Sequence, residues 1–423
     1  MLKRFIWLCT LVLAASCARP DTVKFHLEGS VEGAGDSIIA VAPYGADIRF
    51  DDYIQVKIAD NKIDTVLNLN PDTVYQLYVP LVEGFAACMV KPLFADADGA
   101  VVRFNYTSSE DGSFSAADGN LEIDTSSKEA KTYEQLTGDI REIFKSRMDP
   151  LMERQDSLFM TGAMMTPHYN DLIHRSSDNS LSQEERDAIR LEINKLSLSG
   201  ESRTEEGKAW YQEFEALMAE RSDSTLTHLK AQKPSLAAFL YLAREIKSSK
   251  APEALISLYR ERYENLFPEC NLHKYVADAI VEKTIYVGSH FKDFALPDTE
   301  GNQRSLSSLI EGKVAVVELW ASWCGSCRAN CRSMIPVYEK YKDSGFTFVG
   351  VAREYDDDKD WREAISEDGY PWVNLIAFKE NHEIWSWYGA PNAAGISYLV
   401  GKDGTILKTN PSPQDVEEAM QQQ

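Results

Sequence analysis

An apolar segment that runs directly into a Cys-x-x-Cys pair constrains the fold of this chain more than any other feature. Residues 314–319 form an apolar run suited to a strand buried in a sheet. Residues 320–327 read Trp-Ala-Ser-Trp-Cys-Gly-Ser-Cys and open a segment with helical spacing. A buried strand joined to a helix across two cysteines predicts an α/β domain whose chemistry lies at the junction.

The spacing of Cys324 and Cys327 lets their two sulfurs meet within one helical turn, so that a disulfide can open and close without large movement. Cys324 lies at the N-terminus of the helix, where unpaired N–H groups and the helix dipole stabilise a thiolate. We therefore predict that Cys324 attacks a partner disulfide and that Cys327, deeper in the helix, resolves the mixed disulfide. No cofactor is expected beyond the redox-active Cys324–Cys327 disulfide, and no metal site is predicted.

A series of short motifs runs through the last third of the chain. They are Phe291-x-x-Phe294-x-Leu296, Asp298-x-x-Gly301, Ser305-Leu306-Ser307, Gly312-Lys313, the Trp-Ala-Ser-Trp-Cys-Gly-Ser-Cys segment, Gly345-Phe346, Gly369-Tyr370-Pro371-Trp372 and Asp403-Gly404. In this order they resemble the thioredoxin superfamily, specifically the TlpA/ResA-like membrane-tethered thiol-disulfide oxidoreductases. The resemblance implies a thioredoxin-like fold over 286–423, protein disulfides on exported proteins as substrates and a thiol electron donor as a second partner. We expect reduction rather than oxidation.

Within this resemblance, Glu318 takes the position of a buried acid six residues before Cys324. A carboxylate there can accept the proton of Cys327 as that thiol attacks. The alternative is a carboxylate at the end of a strand that points to solvent, and the neighbouring apolar residues do not distinguish the two. The residues predicted to contact substrate are Trp323, Gly325, Ser326, Gly395 and Ile396.

Two departures from the family pattern stand out. The family has a cis-proline that faces the active cysteines and presents backbone to a bound substrate chain, and by spacing this position falls on Gly395, followed by Ile396. Glycine still permits unusual backbone angles, so the loop can be retained. In the helix after the motif, Arg332 stands where a proline is expected, with Pro336 four residues later, and Asn330 replaces the usual glutamate.

Cys331 follows Cys327 by four residues and therefore shares its helix face. We favour a buried small apolar side chain at this position, a frequent environment for free cysteine. The alternative is a third redox or metal thiol, because the Cys327-x-x-x-Cys331 spacing resembles that of the copper-delivery Sco proteins. The downstream histidine that such a site needs has one candidate, His382. The alternative function is accordingly a thioredoxin-fold binding or copper-handling module with little redox turnover.

A peroxiredoxin is a third possibility, and one position argues against it. Peroxiredoxin chemistry requires a threonine three residues before the peroxidatic cysteine. Ala321 stands at that distance from Cys324. We therefore set this function aside.

The first 17 residues resemble a bacterial lipoprotein signal. Lys3 and Arg4 precede an apolar run over 5–15 that is too short to span a bilayer, and small residues lead to Cys17. A plain secretory signal or a buried N-terminal helix is the alternative. The resemblance implies cleavage after residue 16, lipidation of Cys17 and a lipid anchor in the cell envelope, facing the periplasm. Ala18, in place of aspartate, favours the outer over the inner membrane.

Between the signal and the α/β domain, the periodicity of the sequence predicts two more regions. Alternating apolar residues and turn signals over 17–126 predict a small antiparallel β-sandwich. Helical stripes over 127–285 predict an α-helical region, with a capping box at Ser182 and Glu185. The chain of 423 residues is thus expected to be multidomain. Its 66 acidic residues outnumber 44 basic ones, and a net charge of −22 argues against nucleic-acid partners.

Overall fold

Three structural regions follow one another along the chain, rich in strands, in helices and in mixed α/β structure respectively. This order confirms the predicted multidomain fold class. The structure is a computed structural model that describes the chain except for residues 1–21, 33–37, 49–50, 81–87, 106, 109–113, 116–120, 177, 179, 356, 379–380, 382, 391–394 and 423. The predicted signal peptide, the predicted lipidation site Cys17 and the candidate copper ligand His382 lie outside the described residues.

The first region is a β-sandwich in which two four-stranded sheets share one apolar core. Its strands are β1 (Val23–Glu32), β2 (Ile38–Pro43), β3 (Ile54–Lys57), β4 (Lys62–Leu69), β5 (Val74–Pro80), β6 (Cys88–Phe94), β7 (Gly99–Asn105), β8 (Thr107–Ser108), β9 (Phe114–Ser115) and β10 (Glu122–Thr125). The sheet orders are β10-β7-β1-β4 and β3-β2-β5-β6, and β8 pairs with β9. Alternating apolar residues such as Phe25 and Leu27 point into the core.

One strand pair corrects the prediction of an antiparallel sandwich, because β1 and β7 run parallel. The other strand pairs described in the two sheets are antiparallel. Gly29 of β1 has φ +147°, and a Cβ there would stand 1.8 Å from the carbonyl oxygen of Val102 in β7. Side-chain alternation predicts which residues form strands, but it is the same for both strand directions, so it does not predict the parallel pair.

The second region is helical and is organised around one buried helix. Its helices are α1 (Lys128–Met160), α2 (Pro167–Ser176), α3 (Gln183–Ser199), α4 (Glu205–Ala231), α5 (Leu236–Ser248), α6 (Glu253–Arg262) and α7 (Leu272–Lys283). Residues 236–243 of α5 are all buried, which is typical of a helix packed on every side. The predicted capping box of α3 is confirmed, since Ser182 and Glu185 each accept a hydrogen bond from the backbone N–H of the other.

The third region is built on a five-stranded mixed sheet in the order β15-β14-β13-β16-β17. Its elements are β11 (Ala295–Pro297), β12 (Gln303–Ser305), α8 (Leu306–Ile310), β13 (Val314–Trp320), α9 (Gly325–Tyr341), a 3₁₀ turn (Lys342–Ser344), β14 (Phe346–Arg353), α10 (Lys359–Asp368), β15 (Val373–Ala377), α11 (Glu383–Trp387), β16 (Ile396–Val400), β17 (Ile406–Thr409) and α12 (Pro413–Gln422). The central strand β13 is buried along its whole length, pairing in parallel with β14 and antiparallel with β16.

Polar contacts join the three regions. The side-chain amide oxygen of Asn271 in α7 accepts a 3.0 Å hydrogen bond from the N–H of Val74 in the sandwich. Arg353 at the end of β14 forms a 2.7 Å ion pair with Asp47 of the sandwich. Helix α3 packs against α9, so the α2–α3 pair lies beside the Cys-x-x-Cys segment. Among the described residues, no helix is long and apolar enough to cross a membrane.

Candidate active site

Cys324 and Cys327 form a disulfide at the N-terminus of α9, with their Cα atoms 5.3 Å apart. Cys324 is the N-cap residue of the helix, and its Sγ accepts a 3.2 Å hydrogen bond from the N–H of Cys327. The same N–H and the helix dipole would stabilise a thiolate on Cys324 after reduction. Both side chains are nearly buried, with exposed fractions of 3% and 4%.

The turn between β13 and α9 is held by a residue that sequence reasoning missed. The carboxylate of Glu354, just after β14, accepts hydrogen bonds of 2.8 Å from both the N–H and the hydroxyl of Ser322. The carbonyl of Ala321 accepts a 3.0 Å hydrogen bond from the N–H of Cys324. Glu354 is itself buried, and burial raises its pKa. The cysteine motif is therefore fixed at both its strand end and its helix end.

Glu318 is buried inside the domain, so the alternative of a solvent-facing carboxylate is wrong. Burial raises its pKa to about 8, against hydrogen bonds from Asn330 and Ser397 that lower it. The Nδ2 of Asn330 donates to Oε2 of Glu318 at 2.7 Å, and Ser397 is the partner of Glu318 across the β13–β16 pair. Asn330 thus carries a polar contact at the position where the sequence departs from the family glutamate. Its position three residues after Cys327, on the same helix face, could have indicated from the sequence that Asn330 lies next to the active site.

Gly395 lies directly against the disulfide, at the position predicted from spacing. Its φ is +68°, and a Cβ there would stand 2.3 Å from Sγ of Cys327 and 2.9 Å from the carbonyl oxygen of Leu319. A side chain has no room at this position, and the backbone conformation also favours glycine. Ile396 follows as the first residue of β16, half-buried and paired with Leu319. Within the described residues there are no cis peptide bonds.

The predicted substrate-contacting residues of the motif itself surround the disulfide. Trp323 is 43% exposed and stacks on the equally exposed Tyr355, with ring centroids 5.9 Å apart. The hydroxyl of Ser326 lies 3.5 Å from Sγ of Cys324. Tyr355 was missed by sequence reasoning, because it comes from the loop after β14. Together Trp323 and Tyr355 form an exposed aromatic surface beside the cysteines.

Two arginines form contacts between the helical region and the active-site helix α9. Arg332, at the position of the expected proline, pairs bidentately with Asp187 of α3 at 2.8 and 2.9 Å and also contacts Asp368 at 2.8 Å. Arg190 of α3 covers Gly325, since its guanidinium nitrogens lie 3.4 Å from where a Cβ would stand. Nothing in the sequence predicted either contact, because α3 is remote from the motif along the chain.

The remaining cysteines differ from the active pair. Cys331 is free and fully buried, and burial raises its pKa well above the ordinary value. Cys270 is also free and buried, and burial raises its pKa to about 11. Such thiols resist the deprotonation that redox and metal chemistry require. The side chain of Cys88 lies outside the description, and among the described residues no group of three or more His, Cys, Asp or Glu is placed to hold a metal ion.

Comparison with known protein families agrees with this geometry. Residues 287–409 match the model of the AhpC/TSA family. The C-terminal region is a thioredoxin-like domain. The thiol-disulfide oxidoreductase ResA of Bacillus thuringiensis (strain Al Hakam) is 24% identical over 127 residues, which are 30% of this chain and 70% of ResA. The thiol:disulfide interchange protein DsbE of Pseudomonas fluorescens biotype C is 35% identical over 72 residues, 17% of this chain and 37% of DsbE.

A solved structure aligns with the same part of the chain. The thioredoxin domain of a thiol-disulfide oxidoreductase from Bacteroides vulgatus shares 26% identity and has a TM-score of 0.30. The alignment covers 33% of this chain and 97% of that structure. By sequence, the thioredoxin-like domain is similar to ResA- and DsbE-type thiol-disulfide oxidoreductases.

Proposed function

We propose that this protein is a membrane-tethered thiol-disulfide oxidoreductase that acts on exported proteins through Cys324 and Cys327. The observation that carries the proposal is the disulfide at the N-terminus of α9, with Cys324 as the N-cap. Helix N-termini stabilise the thiolate that thiol-disulfide exchange needs. The similarity to ResA and DsbE over the thioredoxin-like domain supports the same chemistry.

In the proposed reaction, the reduced protein starts with a thiolate on Cys324 and a thiol on Cys327. Cys324 attacks one sulfur of a substrate disulfide, which forms a mixed disulfide and releases the other substrate sulfur as a thiolate that takes up a proton. Cys327 then loses its proton and attacks Sγ of Cys324, which releases the second substrate thiol. The substrate gains two electrons, and the Cys324–Cys327 disulfide seen in the structure is the oxidised product.

Glu318 is suited to move the proton of Cys327. Its pKa of about 8 lies close to neutral pH, where a general acid–base group is most effective. The charge of Glu318 also raises the pKa of Cys331, which shares the helix face of Cys327. We assign Glu318 the role of accepting the proton as Cys327 attacks and of returning it when a donor thiol reduces the disulfide.

Reduction is the proposed direction. A pair whose reduced form is less stabilised is a better reductant, so the potential of the couple distinguishes the two directions. The redox potential of the Cys324/Cys327 couple tests this, with about −270 mV expected for a reductase and about −120 mV contradicting it.

Turnover of the purified full chain tests the proposed activity. With a dithiol supplied, the protein should reduce the disulfides of insulin, and Cys324→Ser should abolish this reduction because the attacking sulfur is lost. Cys331→Ala is the matched control, since it removes a thiol of the same helix that the reaction does not use. Unchanged turnover of Cys324→Ser would overturn the assignment.

We also propose that Cys17 carries a lipid anchor in the cell envelope, preferentially in the outer membrane, with the described regions facing the periplasm. Several acyl chains anchor a protein stably, whereas one alone binds a membrane only marginally. Metabolic labelling with a radioactive fatty acid should label the wild-type protein but not Cys17→Ser. Labelling of Cys17→Ser at the wild-type level would contradict the anchor.

A further inference from the structure

A cleft of about 720 Å³ opens beside the active-site motif, between the α2–α3 pair and the thioredoxin-like domain. Trp323 and Gly325 of the motif form part of its lining. Its charged lining consists of four arginines and two carboxylates, from Arg186, Arg190, Arg328, Arg332, Glu367 and Asp368. The cleft is thus locally basic in a chain of net charge −22.

Three of these arginines already have close hydrogen-bond partners. Arg328 donates to Asp368 at 2.7 Å and to Glu367 at 2.9 Å. Arg332 pairs with Asp368 and with Asp187 of α3, as described above. Arg186 donates to the carbonyl oxygen of Leu181 at 2.5 Å. The carboxylates of the cleft are therefore occupied by Arg328 and Arg332 and do not neutralise the remaining arginine.

Arg190 is the exception. Among the described residues, its guanidinium has one ion pair, 3.6 Å from Oδ1 of Asp187, which is too long for a hydrogen bond. Both oxygens of Asp187 are taken by the bidentate contact of Arg332. Because a guanidinium carries five N–H donors in a planar fork that matches a carboxylate, Arg190 is available for an anionic group in the cleft.

The position of Arg190 relates this charge to the reacting sulfurs. Its guanidinium lies against Gly325, the residue directly after Cys324, at 3.4 Å from where a Cβ would stand. A polypeptide whose cystine meets Cys324 therefore brings its neighbouring residues within reach of Arg190. The exposed Trp323 and Tyr355 offer an apolar surface at the same place.

We propose that Arg190 recognises substrate by binding the carboxylate of an acidic residue next to the cystine of a substrate polypeptide. This inference rests on the proposed thiol-disulfide exchange and names its substrate class. Arg190 belongs to the helical region, so this region contributes to substrate choice, whereas the thioredoxin-like domain supplies the redox pair.

Two disulfide-bonded peptides that differ by one residue test the inference. Both carry the same sequence, with glutamate next to one cysteine in the first and glutamine in the second. At low ionic strength, the wild-type protein should reduce the glutamate peptide with a kcat/KM roughly twofold to fivefold higher, the range of a partly exposed ion pair. Arg190→Gln should bring this ratio to about one, and 0.5 M KCl should lower it in the wild type.

Comparing two peptides distinguishes substrate recognition by Arg190 from the thiol-disulfide exchange itself. The ratio of the two kcat/KM values cancels any effect of Arg190 on the reactivity of Cys324, because that effect is common to both peptides. Arg260→Gln, which removes an exposed arginine of α6 remote from the cleft lining, should retain the wild-type preference. Equal reduction of both peptides by the wild type, or a preference kept in Arg190→Gln, would overturn the inference while the activity stands. The inference would also be overturned if the wild type reduced glutathione disulfide faster than either peptide and reduced the two peptides equally. Reduction of neither peptide would overturn the proposed function instead.

Discussion

Asn330 donates a 2.7 Å hydrogen bond from its side-chain amide to the buried carboxyl group of Glu318. The bond joins helix α9 to the central strand β13 within the core of the thioredoxin-like domain. Donation to the carboxylate favours the charged form of Glu318, whereas burial favours the protonated form. Burial is the larger effect, and the pKa of Glu318 rises to about 8.

Removing the donor should raise the pKa of Glu318 further. Asn330→Leu takes away a hydrogen bond to the carboxylate, so the pH dependence of kcat/KM for peptide reduction should move upward by about one pH unit. The pH–rate profiles of wild type and variant measure this. In a Glu318→Gln background the same change should leave the profile unmoved, and an equal shift in both backgrounds would show that Asn330 does not act through Glu318.

The raised pKa also predicts how stability depends on pH. The native state holds the Glu318 proton more tightly than the unfolded chain, where the pKa is near its ordinary value of 4.5. From this group, the free energy of unfolding should fall by about 1.4 kcal/mol per pH unit between pH 4.5 and about 8, and be level outside this window. Glu318→Gln removes that slope, so its stability relative to the wild type should increase from pH 5 to pH 8.

Urea unfolding of the oxidised proteins across that range measures the difference. Glu363→Gln, at an exposed position of α10, is the matched control and should follow the wild-type curve. If the free energies of unfolding of wild type and Glu318→Gln changed with pH in parallel, this would contradict a Glu318 carboxyl that is buried and keeps its proton up to about pH 8.

The sequence predicts best where one local signal determines the structure. The apolar run of β13, the cysteine spacing and the helical segment after it are all local, and together they predict the strand–turn–helix junction. The position of Gly395 against Cys327 followed from the family resemblance, with the spacing to Gly404 locating the residue. These features are set by residues close together in the chain or by a fixed family pattern.

The features that were not predicted depend on long-range packing. The face of Glu318 could not be predicted because β13 is buried on both sides and therefore lacks alternation. Arg190 reaches Gly325 from another region of the chain, and no periodicity encodes that contact. The parallel pairing of β1 with β7 likewise depends on how the sandwich closes, since alternation is the same for both strand directions.

A methyl group at Gly395 should destabilise the oxidised protein in two ways. The φ of +68° disfavours alanine by about 1–2 kcal/mol. The added Cβ would also overlap Sγ of Cys327, which should lower the free energy of unfolding by about 1–3 kcal/mol more. Gly369→Ala is a close control, because Gly369 has φ +65° and no atom within 4 Å of the added Cβ. Urea unfolding should show a clearly larger loss for Gly395→Ala, and equal losses would mean that the loop yields without strain.

The ion pair between Asp187 and Arg332 should contribute substantially to holding α3 on the active-site helix. Both side chains are largely buried, and the contact is bidentate, so Asp187→Ala should lower the free energy of unfolding by about 1–3 kcal/mol. Asp171→Ala is the matched control, because Asp171 forms an exposed pair with Arg175 in α2, and such pairs contribute about 0–1 kcal/mol. Hydrogen exchange should also accelerate in α2 and α3 of Asp187→Ala alone. Equal losses in both variants, without faster exchange, would show that apolar packing rather than this ion pair holds the helical region against the disulfide.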